Sequence, residues 1–251
     1  IGTENERAVN IETLRGKTGW VTLDEGYRNT ASVRSSITYI NGEEGILRYH
    51  GIPIEQLAEK STFVETALLL MNGELPTRDQ LGSFRRLLAE HEMIHEGMRS
   101  SFLGFPPSGH PMAILSSMIN TLSCYTSDVM VMEDETTFEN AAARLISKIR
   151  TVAAYAYRMS IGKPLIYPDS QFSYCRNFLH MMFSTPSRVH EPDPDIVRAL
   201  SLFLILHADH EQNCSTSTVR TVGSSGANLF ASCSAGVCAL WGPRHGGANV
   251  A

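Results

Sequence analysis

The sequence predicts a mainly α-helical protein with a small β-containing segment at its N-terminus. Apolar residues recur at helical spacing from residue 53 onward, whereas short β-branched and aromatic runs are concentrated in the first fifty residues. Hydrophobic residues make up 43% and charged residues 19% of the 251-residue chain, which is typical of a globular protein with a sizeable core. We therefore divide the chain into a β-containing segment, residues 1–52, and a helical domain, residues 53–251.

The N-terminal segment contains two candidate β regions. Residues 19–27 and 36–51 both hold short runs of β-branched and aromatic residues. Asn41-Gly42 lies between two such runs and predicts a hairpin turn, because this dipeptide readily adopts the backbone angles of a two-residue hairpin loop.

Helical patterns fill the rest of the chain. Residues 53–60 and 61–75 predict two helices, the second with Ser61 as its N-cap and Asn72-Gly73 as its stop. Residues 77–102 predict one long amphipathic helix, which the Pro- and Gly-containing stretch 105–111 follows. Further helices are predicted at 112–125, 137–160, 171–183, 193–213 and 226–240.

Composition and charge argue against several classes of function. The net charge is −5 and no block of Lys or Arg stands out, so we expect no nucleic-acid partner. Apolar runs such as 202–208 are much shorter than a membrane span, so we expect no membrane partner. The five cysteines form no C-x-x-C pair, which predicts a reduced cytoplasmic protein whose thiols are mostly buried.

The stretch "HEMIH", residues 91–95, fits the H-E-x-x-H zinc signature. Its flanks, Glu90 and Glu96, suit a catalytic zinc poorly, and no third ligand follows at the expected spacing. We interpret His91 and His95 as packing or solvent-facing residues of the predicted helix and predict no metal, with a zinc protease as the remote alternative.

A second group of histidines lies near the end of the chain. His207 and His210 stand three residues apart and precede a polar cluster that contains Asn213 and Ser215. The later stretch "LWGPRHGGANVA" places His245 beside Gly246-Gly247, which lets the backbone run close past it. Gly242-Pro243 in the same stretch ends the preceding helical pattern.

We predict that helix 226–240 brings His245 back towards His210 and Ser215. A ring of His, Ser and Asn in an apolar shell suits a small polar ligand, or an enolate stabilised by a hydrogen bond. The alternative is that these histidines are satisfied core groups or caps. A metal is less favoured here, because no nearby cysteine or carboxylate pattern completes a tetrahedral set.

These two histidine motifs, "ILHADHEQNCSTSTVRTVGSSGAN" and "LWGPRHGGAN", resemble those of the citrate synthases, specifically the bacterial hexameric type. Similar stretches at 37–77, 144–168 and 177–185 extend the resemblance along nearly the whole chain. The resemblance implies the multi-helical large domain of that family. It also implies that this domain is incomplete at Ala251 and that the small CoA-binding domain is largely absent. The family's second catalytic histidine, its catalytic aspartate and its main carboxylate-binding arginines would follow residue 251.

The resemblance implies a tricarboxylic acid cycle transferase that condenses acetyl-CoA with oxaloacetate to give citrate and CoA, without metal or cofactor. His245 matches the histidine that stabilises the acetyl-CoA enol, and Ser215 the serine that orients its ring. His210 matches a histidine that binds oxaloacetate. His207, Asn213 and Asn249 complete the substrate-binding set, His207 as a supporting group rather than a direct ligand.

Family likeness also implies a homodimer, or a hexamer built as a trimer of dimers, and an NADH site of regulatory function. Arg144 and Lys148 resemble the basic residues of that NADH site, and Met93 would line it; the alternative is a solvated helix face. Two other functions stay open: a 2-methylcitrate synthase that uses propionyl-CoA, and a truncated, non-catalytic assembly or regulatory subunit. The 251-residue chain by itself is expected to be inactive.

Overall fold

The chain folds into a helical body with a three-stranded antiparallel sheet near its N-terminus, which confirms the predicted fold class. A computed structural model describes residues 8–25, 29–126 and 135–249, with the side chains at 135–136 and 248–249 outside the description. The strands are β1 (Thr38–Asn41), β2 (Ile46–Tyr49) and β3 (Ile52–Pro53). The helices are α1 (Leu14–Thr18), α2 (Ile54–Lys60), α3 (Phe63–Asn72), α4 (Arg78–Glu90), α5 (Met98–Leu103), α6 (Pro111–Leu122), α7 (Glu135–Ser160), α8 (Tyr174–Phe183), α9 (Pro194–Leu206), α10 (Cys214–Gly223) and α11 (Leu229–Leu240). Short 3-10 turns lie at Ser123–Tyr125 and Gly246–Asn249.

The predicted hairpin is present. β1 and β2 pair antiparallel from Thr38 opposite Tyr49 to Asn41 opposite Ile46. The side-chain oxygen of Asn41 accepts the backbone N–H groups of Glu43 and Glu44, each at 3.1 Å, and so stabilises the turn.

The predicted β region at 19–27 is wrong for residues 19–25, and residues 26 and 27 lie outside the described part of the chain. α1 ends at Gly19, whose φ of 75° turns the backbone away from the helix. Residues 20–25 then run without a strand, and the side chains of Val21 and Leu23 are 68% and 88% exposed. A β-prone composition does not make a strand where no neighbouring strand pairs with it.

The start of α3 lies one residue later than the sequence predicts. Thr62, not Ser61, is the N-cap: its hydroxyl accepts the backbone N–H of Glu65, and the Glu65 carboxylate accepts the N–H of Thr62. Such a capping box stabilises a helix by about 1 kcal/mol. The predicted stop is confirmed, because Gly73 ends α3 in the left-handed conformation.

The long helix predicted at 77–102 is two helices, α4 and α5, with a non-helical link at 91–97. Along this link Glu92 and Ile94 are each only 5% exposed, whereas Met93 between them is 43% exposed. Burial of every second residue indicates an extended chain, in which successive side chains point to opposite sides. In a helix the residues that share a face are three or four positions apart. The motif "HEMIH" is therefore not helical, contrary to our prediction.

The main core surrounds α7, which contacts α4, α5, α6, α8 and α11. Its largest cluster of buried apolar side chains runs from Ile94 and Met98 through α6 to Val152 and Tyr155 of α7. A smaller cluster joins the sheet to α9 through Tyr49, Leu69 and Ile205. The body thus supports the C-terminal end of α9, where the histidine motif begins.

α9 ends at Leu206 rather than continuing to residue 213, and α10 was missed by the sequence analysis. Serine and threonine are weak helix formers, which made 214–223 resemble a loop. In the fold Asn213 caps α10, and the hydroxyls of Thr218 and Thr221 donate to the carbonyls of Cys214 and Ser217 one turn earlier. These bonds satisfy the hydroxyl groups without ending the helix.

Five cysteines carry free thiols, but the prediction that most are buried is wrong. Only Cys175 is buried, Cys233 is partly buried, and three are exposed: Cys124, Cys214 and Cys238.

Among the described helices none combines the length and the apolar character needed to cross a bilayer.

Candidate active site

The candidate site is built on the hairpin of α10 and α11. The two helices pack very closely at Gly236, where an added Cβ would lie 2.6 Å from Cγ2 of Val219 and 3.5 Å from the carbonyl oxygen of Ser215. A side chain at this position would force the helices apart. The close approach places the first turn of α10 beside the loop that follows α11.

His245 and Ser215 meet across this hairpin. Nε2 of His245 lies 3.0 Å from Oγ of Ser215, although thirty residues separate them in the sequence. The Ser215 hydroxyl also lies 2.8 Å from Oδ1 of Asn213, which in turn accepts the backbone N–H of Thr216 as the cap of α10. The structure thus brings His245 to Ser215, as the sequence predicted, and Asn213 joins them through the Ser215 hydroxyl; His210 lines the same cleft.

The loop that carries His245 is shaped by glycine. The backbone N–H groups of His245 and Gly247 both donate to the carbonyl of Gly242. A Cβ at Gly246 would lie 2.5 Å from the carbonyl oxygen of Leu240, a distance that no side chain tolerates. The position therefore requires glycine, and the imidazole is held by a tight turn rather than by an extended segment.

His207 and His210 lie at the C-terminal end of α9, opposite this loop. His207 ends the helix, donates through Nδ1 to the Phe203 carbonyl at 2.8 Å, and stacks on the Phe203 ring. The ring of His210 lies 6.1 Å from that of His207 in an edge arrangement. The two histidines are not on one helical face, because His210 belongs to the loop after α9.

The loop between α9 and α10 is tied to the sheet. Tyr49 donates to the carbonyl of Ile205 and accepts the backbone N–H of Asp209. Asp209 accepts a hydrogen bond from Thr38. Glu211 accepts the backbone N–H of Ile40 and has a left-handed backbone, with a φ of 59°. The small sheet therefore fixes the position of His210 between two anchored acidic residues.

Together these residues line one open cleft of about 920 Å³. Its walls contain His207, His210, Asn213, Ser215 and His245. The side chain of Asn249 lies outside the described residues, so its predicted role stays a prediction.

Two further residues line the cleft and were not predicted from the sequence, namely His110 and Trp241. Their rings stack with centroids 4.6 Å apart, and Nε1 of Trp241 donates to Nε2 of His110 at 3.2 Å. His110 caps α6, and its position before Pro111 is the signal that a helix starts there. Nothing in the local sequence indicates that His110 contacts Trp241, which lies 131 positions later in the chain.

Two of the three residues predicted to form a regulatory site, Arg144 and Lys148, lie on α7, and the third, Met93, lies in the link after α4. Nζ of Lys148 donates to the carbonyl of Met93, and burial followed by the nearby Arg144 charge lowers the pKa of Lys148. They do not line the cleft that contains His245. Whether they bind NADH stays a prediction.

The zinc-like motif serves a different purpose. The Glu92 carboxylate accepts hydrogen bonds from Arg150 and Asn177, each at 3.0 Å, and faces the protein interior. His91 caps the end of α4, and His95 is exposed, accepts the N–H of Gly97 and stacks on Tyr125. Among the described residues no group of three or more His, Cys, Asp or Glu side chains is placed to hold a metal ion.

The geometry of the cleft suits chemistry in which negative charge develops on a carbonyl oxygen. Ser215 holds one nitrogen of His245, so the other nitrogen, Nδ1, is available to a ligand and has no partner among the described residues. A fixed imidazole N–H near a developing oxyanion is a strong stabilising group. His207 and His210 add two further polar groups for a small substrate.

Comparison with known proteins identifies related chains. Residues 26–251 match the family model described as "Citrate synthase, C-terminal domain". The chain is 53% identical over 249 residues to citrate synthase 1 of Mycobacterium tuberculosis and 48% identical over 249 residues to citrate synthase of Corynebacterium glutamicum. These alignments cover 99% of this chain but only 58% and 57% of the relatives' lengths.

A solved structure shares the fold. The crystal structure of citrate synthase from Pyrobaculum aerophilum superposes with a TM-score of 0.84 and 32% sequence identity. The match covers 98% of this chain and 62% of the solved one. The chain thus spans a little under two thirds of the proteins to which it is similar.

Proposed function

The chain belongs to the citrate synthase family, and we propose that it takes part in the condensation of acetyl-CoA with oxaloacetate to give citrate and CoA. The observation that carries this proposal is the 3.0 Å contact between His245 and Ser215 at the floor of a cleft that His207 and His210 also line. A histidine that a neighbouring hydroxyl holds by one nitrogen can stabilise an enol by a hydrogen bond from the other.

The reaction has three chemical steps. A base removes a proton from the methyl group of acetyl-CoA, and the electrons of that C–H bond move onto the thioester oxygen as an enolate or enol. The enol carbon then forms a C–C bond to the ketone carbon of oxaloacetate, whose oxygen takes up a proton. Water finally cleaves the thioester of citryl-CoA and releases citrate and CoA.

In this scheme His245 acts as the hydrogen-bond donor to the thioester oxygen. A neutral imidazole carries one proton, so a proton on Nδ1 leaves Nε2 as an acceptor. In the structure the Ser215 hydroxyl donates to Oδ1 of Asn213 at 2.8 Å, so the scheme requires that this proton turns to Nε2 of His245, which lies 3.0 Å away. Ser215 is thus a positioning residue that selects the productive form of His245.

His210 is proposed to bind oxaloacetate, with His207 as its neighbour and Asn213 as the cap that places Ser215. Asn249 completes the proposed substrate set. We assign no general base and no arginine clamp within these residues. No metal or cofactor has a role in the proposed reaction.

The proposal is tested by CoA release in the gene product at full length, with intact mass measured in parallel. We expect turnover with acetyl-CoA and oxaloacetate, and a loss of about 10²–10³ in kcat for His245→Ala. His95→Ala serves as the control, because this exposed histidine lies outside the cleft. Faster turnover with propionyl-CoA would replace the proposal with 2-methylcitrate synthesis, and no CoA release from either thioester would leave an assembly role.

We also propose the assembly, regulation and location that the family likeness implies. Exposed apolar side chains such as Leu103 on α5 and Ile196 on α9 favour burial against another copy, first as a dimer and then as a trimer of dimers in the cytoplasm. Native mass spectrometry tests the assembly, and a monomer would contradict it.

Inhibition by NADH that is lost in Lys148→Gln would support a regulatory site at Arg144, Lys148 and Met93.

A further inference from the structure

A second cavity of about 590 Å³ lies at the other end of α9 and shares no lining residue with the cleft of His245. Its walls come from the starts of α3, α8 and α9 and from parts of α4 and α7. Thr62, Ser173 and Pro194 mark those three helix starts. The cavity is therefore formed mainly where helices begin.

Cations outnumber anions in its lining. Three guanidinium groups, those of Arg85, Arg150 and Arg198, face a single carboxylate, that of Glu92. Arg198 donates only to the backbone carbonyls of Ala58, Glu59 and Ser61 among the described residues. A positive cavity in a protein of net charge −5 is a local feature rather than a consequence of composition.

Arg150 provides a donor without an acceptor. Its side chain is buried, with 6% of the residue exposed, and two of its nitrogens donate to Glu92 and to the Tyr174 carbonyl. The third, Nε, is buried and has no hydrogen-bond partner in the part of the chain that the structure describes. A buried donor left unsatisfied is unfavourable, so an acceptor supplied by a ligand would stabilise this site.

The start of α8 adds further donors. Its N-cap residue, Ser173, makes no side-chain hydrogen bond to the helix, so the first backbone N–H groups of α8 are not capped by it. Free N–H groups at a helix start favour an anion. The rings of Phe63 and Tyr174, with centroids 5.0 Å apart, form an apolar wall in the same cavity.

We propose that this cavity is a binding site for a small organic oxyanion, a phosphate or carboxylate attached to a planar apolar body. The oxyanion lies against Arg85, the Arg150 side chain and the start of α8, and the planar body packs on Phe63, because the Arg150 guanidinium already covers the Tyr174 ring at 4.7 Å. Guanidinium groups and helix starts are the usual partners of such anions, and a flat apolar group suits an aromatic wall.

The position of the cavity fits an effector rather than a substrate. α9 presents Val197, Arg198 and Ser201 to this cavity and Phe203 and His207 to the cleft. Its 13 residues span about 20 Å at 1.5 Å per residue. One helix thus connects the two sites end to end, whether or not the cleft performs the proposed condensation.

The experiment is isothermal titration calorimetry on the gene product at full length and in its native assembly, which needs no turnover. The probes are AMP and phenylacetate for the two kinds of oxyanion, with adenosine as the uncharged counterpart. We expect saturable binding of AMP or phenylacetate and none of adenosine. AMP binding assigns the site to phosphates, and phenylacetate binding assigns it to carboxylates.

Two neighbouring arginines on α4 give a matched pair of variants. Arg85 lines the cavity, whereas Arg86 does not and instead donates to Ser83; both are exposed. We expect Arg85→Gln to weaken binding roughly tenfold, because one charge-assisted hydrogen bond is lost, and Arg86→Gln to leave it unchanged. Equal affinities in the two variants, or no binding of either oxyanion, would overturn the proposal.

Discussion

Two segments of the chain carry paired histidines, and the fold treats them in opposite ways. In residues 91–95 the histidines are four apart, and the chain between them is extended, with Glu92 turned into the core. The second group begins with His207 and His210 and includes Ser215 and His245, which are thirty residues apart in the sequence yet meet at 3.0 Å. Histidine spacing alone resembled a metal site in the first case, whereas the polar and glycine-containing motifs correctly predicted the contact in the second.

The difference between them lies in what surrounds each segment. Glu92 is bound by Arg150 and Asn177, so its carboxylate is committed to the interior and holds α7 and α8 to the link after α4. His245 is held by one hydroxyl and keeps a second nitrogen for a ligand. The two segments therefore differ at the group that would carry the chemistry: the Glu92 carboxylate is used by the interior, whereas His245 keeps one nitrogen for a ligand.

The largest effect is expected at Glu92. Glu92→Ala removes the carboxylate and leaves Arg150 as a buried charge without its partner, so we expect a loss of about 3–5 kcal/mol in the free energy of unfolding. Urea denaturation measures this loss. Glu96→Ala is the control, because its carboxylate is exposed and pairs with Arg99 at the surface. A change below that of the control would show that Glu92 is not structural.

The same residue predicts a pH dependence. Burial raises the pKa of Glu92 above 4.5, and the charges and hydrogen bonds of Arg150 and Asn177 only partly oppose this shift. The folded state therefore holds the Glu92 proton more strongly than the unfolded state does. The stability that this protonation contributes is fully present below pH 4.5 and is lost as pH rises through the raised pKa. Stability of Glu92→Gln, followed over the same range, should lack this step.

The next effect is expected at the helix contact that brings Ser215 to His245. Gly236→Ala places a methyl group 2.6 Å from Val219, and the overpacking should reduce stability by about 1–3 kcal/mol. It should also reduce kcat in the CoA-release assay, because α10 carries Ser215 away from His245. Gly223→Ala is the matched control in the same hairpin, since its Cβ would meet only Oγ of Ser232 at 3.7 Å.

A smaller effect is expected at Ser215 itself. Ser215→Ala leaves α10 intact but removes the partner of His245, and we expect kcat to fall roughly tenfold while the melting temperature stays close to that of the parent protein. The pH–rate profile should also shift, because the hydroxyl no longer selects which nitrogen of His245 carries the proton. Ser217→Ala, on the other side of the same helix, should change neither; equal losses in both would show a role in helix stability alone.

The sequence predicted the helical class, the Asn41-Gly42 hairpin and the group of residues around His245, because each depends on a local pattern or a specific motif. It did not predict the break at 91–97, which depends on Arg150 and Asn177, residues 58 and 85 positions away from Glu92. It also missed His110 and Trp241 in the cleft, since their stacking joins two helix ends distant in sequence. Contacts formed between elements override local helix propensity at these places.

The smallest effect is expected at His95, and it separates the two segments most directly. His95 accepts one hydrogen bond from Gly97 and stacks on Tyr125 at the surface, so His95→Ala should change the free energy of unfolding by no more than about 1 kcal/mol. Added zinc should not raise the melting temperature through this segment, because the Glu92 carboxylate faces Arg150 and the two histidines do not lie on one helical turn. A ligand that binds only the folded state at a concentration of about 100 times its Kd would raise stability by about 2.7 kcal/mol, which a thermal melt detects readily. A zinc-dependent rise that disappears in His95→Ala would contradict this assignment and return the first segment to the status of a metal site.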